Sequence, residues 1–200
     1  MRFCGLDQAL RNSGAAVLDG DRFVLAEAFH SKGVGQAKAF HEFRVWWTGF
    51  LRRHRPDWVA IEEPLRSDMT RTSVAYRPND AFGKSIIKTR QPLTNMQTLL
   101  GLYGVRAHAI EVCEALGIEY REINNQEWRS VIHGVRHAPK GTANSSEWWK
   151  GQALTRCKQL GWAVPSKDAA EAALIAEWLR IQFTPMGRAK DGDLFERGAA

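Results

Sequence analysis

The stretch from Arg2 to Leu18 constrains the fold more than any other part of the chain. Small and apolar residues run up to Asp7, the polar turn residues Arg11, Asn12, Ser13 and Gly14 follow, and a second apolar run opens at Ala15. That order predicts a strand, a tight turn and a returning strand, with Asp7 as a lone carboxylate on a central strand. A buried unpaired carboxylate is costly, so Asp7 has to face solvent, meet a cation or bind a metal. The alternation from Arg22 to Ala28 then predicts a third antiparallel strand.

The elements that follow mix helix and strand. Phe40, Phe43, Trp47, Phe50 and Leu51 recur at helical steps between Ala37 and His54, and Arg52, Arg53, His54 and Arg55 close that helix with the charge its dipole favours. Pro56 stops it. The short apolar run Asp57–Ile61 reads as a buried strand that delivers Glu62 and Glu63 at its end. Further on come a long helix from Asn95 to Leu116, a strand over Ile118–Ile123, a short helix capped by Asn124 or Asn125, and a helix capped by Ser145 or Ser146 that runs to Leu160. The last helix starts after Ser166, is apolar on most sides, and carries Asp168 and Glu171 in its first turn. Acidic residues there suit the helix dipole, yet on a buried helix two carboxylates on one face also call for cationic compensation.

Two hundred residues suit a single domain, here residues 1–183 with a loose tail at 184–200. The net charge of +6 favours a polyanionic partner such as nucleic acid. Much of that charge sits between Arg66 and Gln91, where no period is evident. Arg66, Arg71, Arg77, Lys84, Lys88 and Arg90 are interleaved with Tyr76 and Phe82. This reads either as a solvated loop or as one that touches phosphate and stacks on bases. Cys4, Cys113 and Cys157 are far apart with no CxxC spacing, which excludes a disulfide framework or a zinc module and suits core residues. The chain opens directly on a strand pattern, without a signal-peptide or membrane-span pattern, so a cytoplasmic location is expected. Paired tryptophans at Trp46–Trp47 and Trp148–Trp149 mark candidate surfaces that need covering.

Asp7, Glu62, Asp168 and Glu171 are thus four carboxylates on three distant segments, a donor set suited to hard divalent cations. Gly5-Leu6-Asp7-Gln8 with Ser13-Gly14, then Arg55 to Glu63, then Lys150-Gly151-Gln152-Ala153, and lastly Asp168-Ala169-Ala170-Glu171-Ala172 resemble, in order, the motifs of RuvC-type Holliday junction resolvases. The resemblance spans Arg2 to Ile181. It implies an α/β, RNase H-like mixed sheet, with three antiparallel N-terminal strands and then parallel strands, flanked by helices. It further implies a homodimeric endonuclease that cuts four-way DNA junctions with two Mg²⁺ or Mn²⁺ ions held by Asp7, Glu62, Asp168 and Glu171, leaving 5′-phosphate and 3′-hydroxyl ends. Lys150 resembles a basic residue that the family places near the cleaved phosphate, although an exposed helix lysine is the plainer reading. Lys140 joins the basic loop as a backbone contact.

Some positions depart from the family pattern. Glu171 stands where aspartate is frequent, and Glu63 follows the strand glutamate as an alternative ligand. The position of the family's junction-centre aromatic falls near Leu65, a role that Tyr76 or Phe82 would have to take over. Two other readings fit the same residues: a nuclease of this fold with another substrate (an RNA–DNA hybrid, a flap or a replication branch), and a non-catalytic binder of structured nucleic acid. Four retained carboxylates near a phosphate path argue against the latter, because they repel nucleic acid unless metals neutralise them.

Overall fold

The computed structural model describes residues 1–64 and 95–183 in full, and residues 70–77 and 85–92 by their backbone. Strands β1 (Arg2–Asp7) and β2 (Asn12–Asp19) form the expected hairpin, and β3 (Arg22–His30) adds the third antiparallel strand. Helix α1 (Gln36–His54) crosses to β4 (Trp58–Glu62), which pairs in parallel with β1. After β5 (Thr70–Arg77) and β6 (Ser85–Pro92), helix α2 (Met96–Leu116) leads to β7 (Glu119–Ile123), parallel to β4. The sheet order is β3-β2-β1-β4-β7, so the hairpin strand that carries Asp7 lies at its centre. This is the mixed sheet that the resemblance implies.

Strand alternation divides the core in two. Cys4, Leu6, Ala15, Val17, Val59 and Ile61 face α1 and α2. Phe3, Ala16, Ala60 and Ile123 face the opposite layer, built from α3 (Asn125–His133), α4 (Ser145–Gln159) and α5 (Lys167–Gln182). By the same period of two, Asp7 and Glu62 project toward the second layer. The three cysteines are free and buried, as the composition suggests.

Helix α5 lies directly on the strands. Its buried apolar positions are Ala169, Ala170, Ala172, Ala173 and Ala176, with Leu174, Ile175, Trp178 and Leu179 among them, and Glu171 is buried as well. Beneath it, Gly5 and Gly14 leave no room for a side chain. A Cβ on Gly5 would lie 2.1 Å from the Ala172 carbonyl oxygen, and one on Gly14 2.2 Å from that of Asp168. Glycine at these two positions therefore sets the height of the helix above the sheet.

Three sequence expectations are corrected. Residues 66–91 are not one structureless loop: β5 (Thr70–Arg77) and β6 (Ser85–Pro92) pair as an antiparallel hairpin, a second sheet apart from the first. Asn144, not Ser145 or Ser146, caps α4, its side chain accepting from the Glu147 amide. The paired tryptophans do not form open surfaces. Trp47 and Trp149 are buried, and Trp46 stacks on Phe29 of its own chain. The proposed tail at 184–200 lies outside the described residues.

The contact between α5 and the sheet predicts opposite responses to two glycine substitutions. Gly5→Ala has to displace backbone and is expected to cost about 3 kcal/mol in chemical denaturation. Gly151→Ala, on α4 with open space around its Cβ position, is expected to gain about 0.5–1 kcal/mol. A Gly5→Ala protein as stable as the parent would refute the packing described.

Candidate metal centre

Asp7 ends β1 and Glu62 ends β4. Leu6 lies beside Ile61 in the parallel register, so the next residue of each strand emerges at the same sheet end and on the same face. Above them, Ser166 caps α5 by accepting from the Ala169 amide at 3.1 Å, which starts the helix so that Asp168 and Glu171 lie one turn apart. One carboxylate oxygen from each of Asp7, Asp168 and Glu171 falls within 4.8 Å of the others. Glu62 stands beside this group at the neighbouring strand end, and its charge acts on Asp7. Glu62 Oε1 accepts from the Trp128 indole Nε1 at 3.3 Å.

The electrostatics of the cluster are adverse without a cation. Burial, and then the charges of Glu62, Glu171 and Asp168, hold the Asp7 carboxyl well above its ordinary range. Burial and the neighbouring Glu62 push Glu171 up to about 7, against the pull of Arg129 and Lys150. Lys150 Nζ lies 2.5 Å from Asp168 Oδ1. Burial pulls the Lys150 ammonium down, but the Asp168 carboxylate, with the charges of Asp7 and Glu171, outweighs it and holds the group above its ordinary value. Lys150 is thus a half-buried partner of the cluster and not a free surface lysine.

Two contributors escaped the sequence reading. Arg129, on α3, places Nη2 3.1 Å from Glu171 Oε1 and 4.0 Å from Glu62 Oε1. Its guanidinium lies 5.1 Å from the Trp128 ring centroid and 4.9 Å from that of Trp149. Gln8 donates from Nε2 to the Glu62 carbonyl oxygen at 2.7 Å, tying the ends of β1 and β4 together. Its Oε1 is buried and, among the described residues, has no hydrogen-bond partner. A basic residue next to tryptophan at the start of a helix after a strand was the available signal for Arg129. Its significance depends on Trp149, twenty residues further along the chain.

The remaining candidates lie elsewhere. Glu63 is exposed and outside the carboxylate group, and Lys140 is exposed in the loop between α3 and α4. Arg71, Arg77, Lys88, Arg90 and Tyr76 belong to the β5–β6 hairpin. Arg66, Lys84, Leu65 and Phe82 lie outside the described residues.

No protein-family model and no curated protein matches the chain. Solved structures similar to it include RuvC of Thermus thermophilus, 17% identical over 89% of this chain and 92% of that one, with a TM-score of 0.59. A second is T. thermophilus RuvC in complex with a Holliday junction substrate, 14% identical with the same coverage and a TM-score of 0.61. The chain therefore has the RuvC fold, the RNase H-like arrangement that its motifs imply. Among the described residues, no helix is long and apolar enough to cross a membrane.

Crowded carboxylates predict a trade of stability against ion binding. In metal-free protein, Asp7→Asn relieves the repulsion and is expected to stabilise the fold by about 1 kcal/mol. Millimolar Mg²⁺ or Mn²⁺ should raise the melting temperature of the parent, and the substitution should abolish that rise. A parent protein indifferent to both ions in thermal melts would count against the centre.

Proposed function

We propose that this protein is a divalent-metal-dependent endonuclease of the RuvC type, acting on branched DNA and most specifically on four-way junctions. The observation that carries the reading is the meeting of Asp7, Asp168 and Glu171, with Glu62 beside Asp7, at one sheet end of a RuvC fold. The donor set fits a hard divalent cation: it consists of oxygens, it is largely buried, and its four carboxylates face the two cations Arg129 and Lys150. Asp7, Asp168 and Glu171 would hold the ion directly, with Glu62 beside them. The chemistry that a bound divalent cation supplies here is Lewis-acid activation of water and stabilisation of charge on the phosphodiester.

The chain's own residues prepare that chemistry. Gln8 fixes the spacing of the Asp7 and Glu62 strand ends. Trp128 holds the Glu62 carboxylate by its indole N–H, which limits the rotamers of a long side chain. Lys150 steadies Asp168 and sets positive charge at the rim, where a phosphate would approach. The β5–β6 hairpin, with Arg71, Arg77, Lys88 and Arg90, together with Arg66, Lys84 and Lys140, would follow the DNA backbone.

The homodimer that the motif resemblance implies would pair through the outer face of α2. Met96, Leu100, Tyr103 and Ala107 are exposed there at alternating steps of four and three, the spacing of a helix-pairing seam. The helix has no acidic residue in its first turn and no basic residue in its last, while Glu111 and Glu114 are exposed near its C-terminus. Antiparallel pairing would set those glutamates beside the positive end of the partner helix. A two-fold dimer would offer a pair of sites, which suits a four-armed substrate.

Two experiments test this reading. The first is cleavage of a labelled four-way junction beside a linear duplex, a flap and an RNA–DNA hybrid, in Mg²⁺, Mn²⁺ or EDTA. Paired symmetric nicks in the junction are expected, lost in EDTA and reduced at least about 10³-fold in Asp7→Asn and Glu62→Gln with junction binding retained. Cleavage of another member only would reassign the substrate, and binding without cleavage in any metal would overturn the enzyme. The second is sedimentation velocity. The parent should run as a dimer and Leu100→Glu as a folded monomer, and a parent that is monomeric at tens of micromolar would refute the seam.

A further inference from the structure

Arg129 lies on the Glu62 and Glu171 side of the carboxylate cluster. Its Nη2 lies 3.1 Å from Glu171 Oε1 and 4.0 Å from Glu62 Oε1, so one guanidinium spans two of the four carboxylates. It is not a mobile surface side chain. The Trp128 and Trp149 rings flank it at 5.1 and 4.9 Å, its exposure is 16%, and both indoles are buried. Trp128 is itself anchored to Glu62 through Nε1, so the group that holds the arginine also holds the carboxylate that it faces. Withdrawing Arg129 would empty the slot between two indoles and leave Glu171 without its guanidinium.

We propose that Arg129 is a fixed positive pole that takes the place of a second divalent ion, leaving the free protein with one resident ion among Asp7, Asp168 and Glu171. The inference rests on the metal-centre reading above and narrows it, since the resemblance implies two ions. Geometry separates the carboxylates accordingly. One carboxylate oxygen from each of Asp7, Asp168 and Glu171 lies within 4.8 Å of the others, whereas Glu62, although beside Asp7, accepts from the Trp128 indole at Oε1, 4.0 Å from Arg129, and is not one of the three. Charge points the same way. One divalent ion with Arg129 and Lys150 balances the four carboxylates, whereas a second would leave an excess of two positive charges in a largely buried site, beside a guanidinium flanked by two indoles. In this account Arg129 is a positioning residue. It orients Glu171 and Glu62 and sets the number of ions that the site accepts.

The test is Mn²⁺ binding to the full, metal-free chain without nucleic acid, followed by calorimetry for stoichiometry and by electron paramagnetic resonance for coupling between ions. The parent should bind one Mn²⁺ per chain with a spectrum free of spin coupling. Arg129→Met, which keeps an apolar stem between the indoles, should bind two and show the coupled signal of neighbouring ions, and Arg129→Lys should restore the stoichiometry of one. Should Arg129→Met fail to fold, Arg129→Gln, which retains a donor toward Glu171 without charge, is read in the same way. Two coupled ions in the parent, or a single ion in the folded uncharged variants, would overturn the role of Arg129 and leave the metal centre standing. No Mn²⁺ bound to the parent would instead overturn the metal centre itself.

Discussion

The close approach of α5 to the central hairpin governs the rest of this molecule. Gly5 and Gly14 have no Cβ, and the helix presents alanines to them, so backbone nearly meets backbone across the layer. A helix held at ordinary side-chain distance, near 10 Å, would leave Asp168 and Glu171 out of reach of Asp7. The same contact buries the carboxylates. Their crowding is thus a consequence of how the helix and sheet fit, and the small residues of both elements form one device.

That crowding is opposed by groups from the neighbouring elements. Lys150 comes from α4, Arg129 from α3, and Gln8 ties the strand ends below them. The Arg129 and Gln8 contacts span elements far apart in sequence, and the Lys150 contact joins two successive helices. The centre therefore assembles only with the complete second layer. It is also a place where the fold forgoes stability, since buried like charges raise the Asp7 and Glu171 carboxyls above their ordinary range.

Much of this was legible in the sequence, for physical reasons that can be named. Alternation and turn residues marked the Asp7 hairpin, a proline bounded the Glu62 strand, and an alanine-rich apolar helix announced its own burial. The β5–β6 hairpin was not legible. Its strands, Thr-Arg-Thr-Ser-Val-Ala-Tyr-Arg and Ser-Ile-Ile-Lys-Thr-Arg-Gln-Pro, form a two-stranded sheet and carry no clear apolar period. The α4 cap was missed because Asn144, Ser145 and Ser146 are all competent to cap and adjacent. Arg129 was illegible for a deeper reason. Its environment is made by Trp128, Trp149, Glu62 and Glu171, which only the tertiary fold brings together.

The central claim is that α5 and the sheet ends together form a cation site. Anomalous diffraction from a crystal equilibrated with Mn²⁺ tests it most directly. The account predicts one anomalous peak bounded by the carboxylates of Asp7, Asp168 and Glu171, with Arg129 still lying between Trp128 and Trp149. A well-ordered crystal showing no peak there, with the carboxylates turned apart or paired only to Lys150 and Arg129, would contradict it.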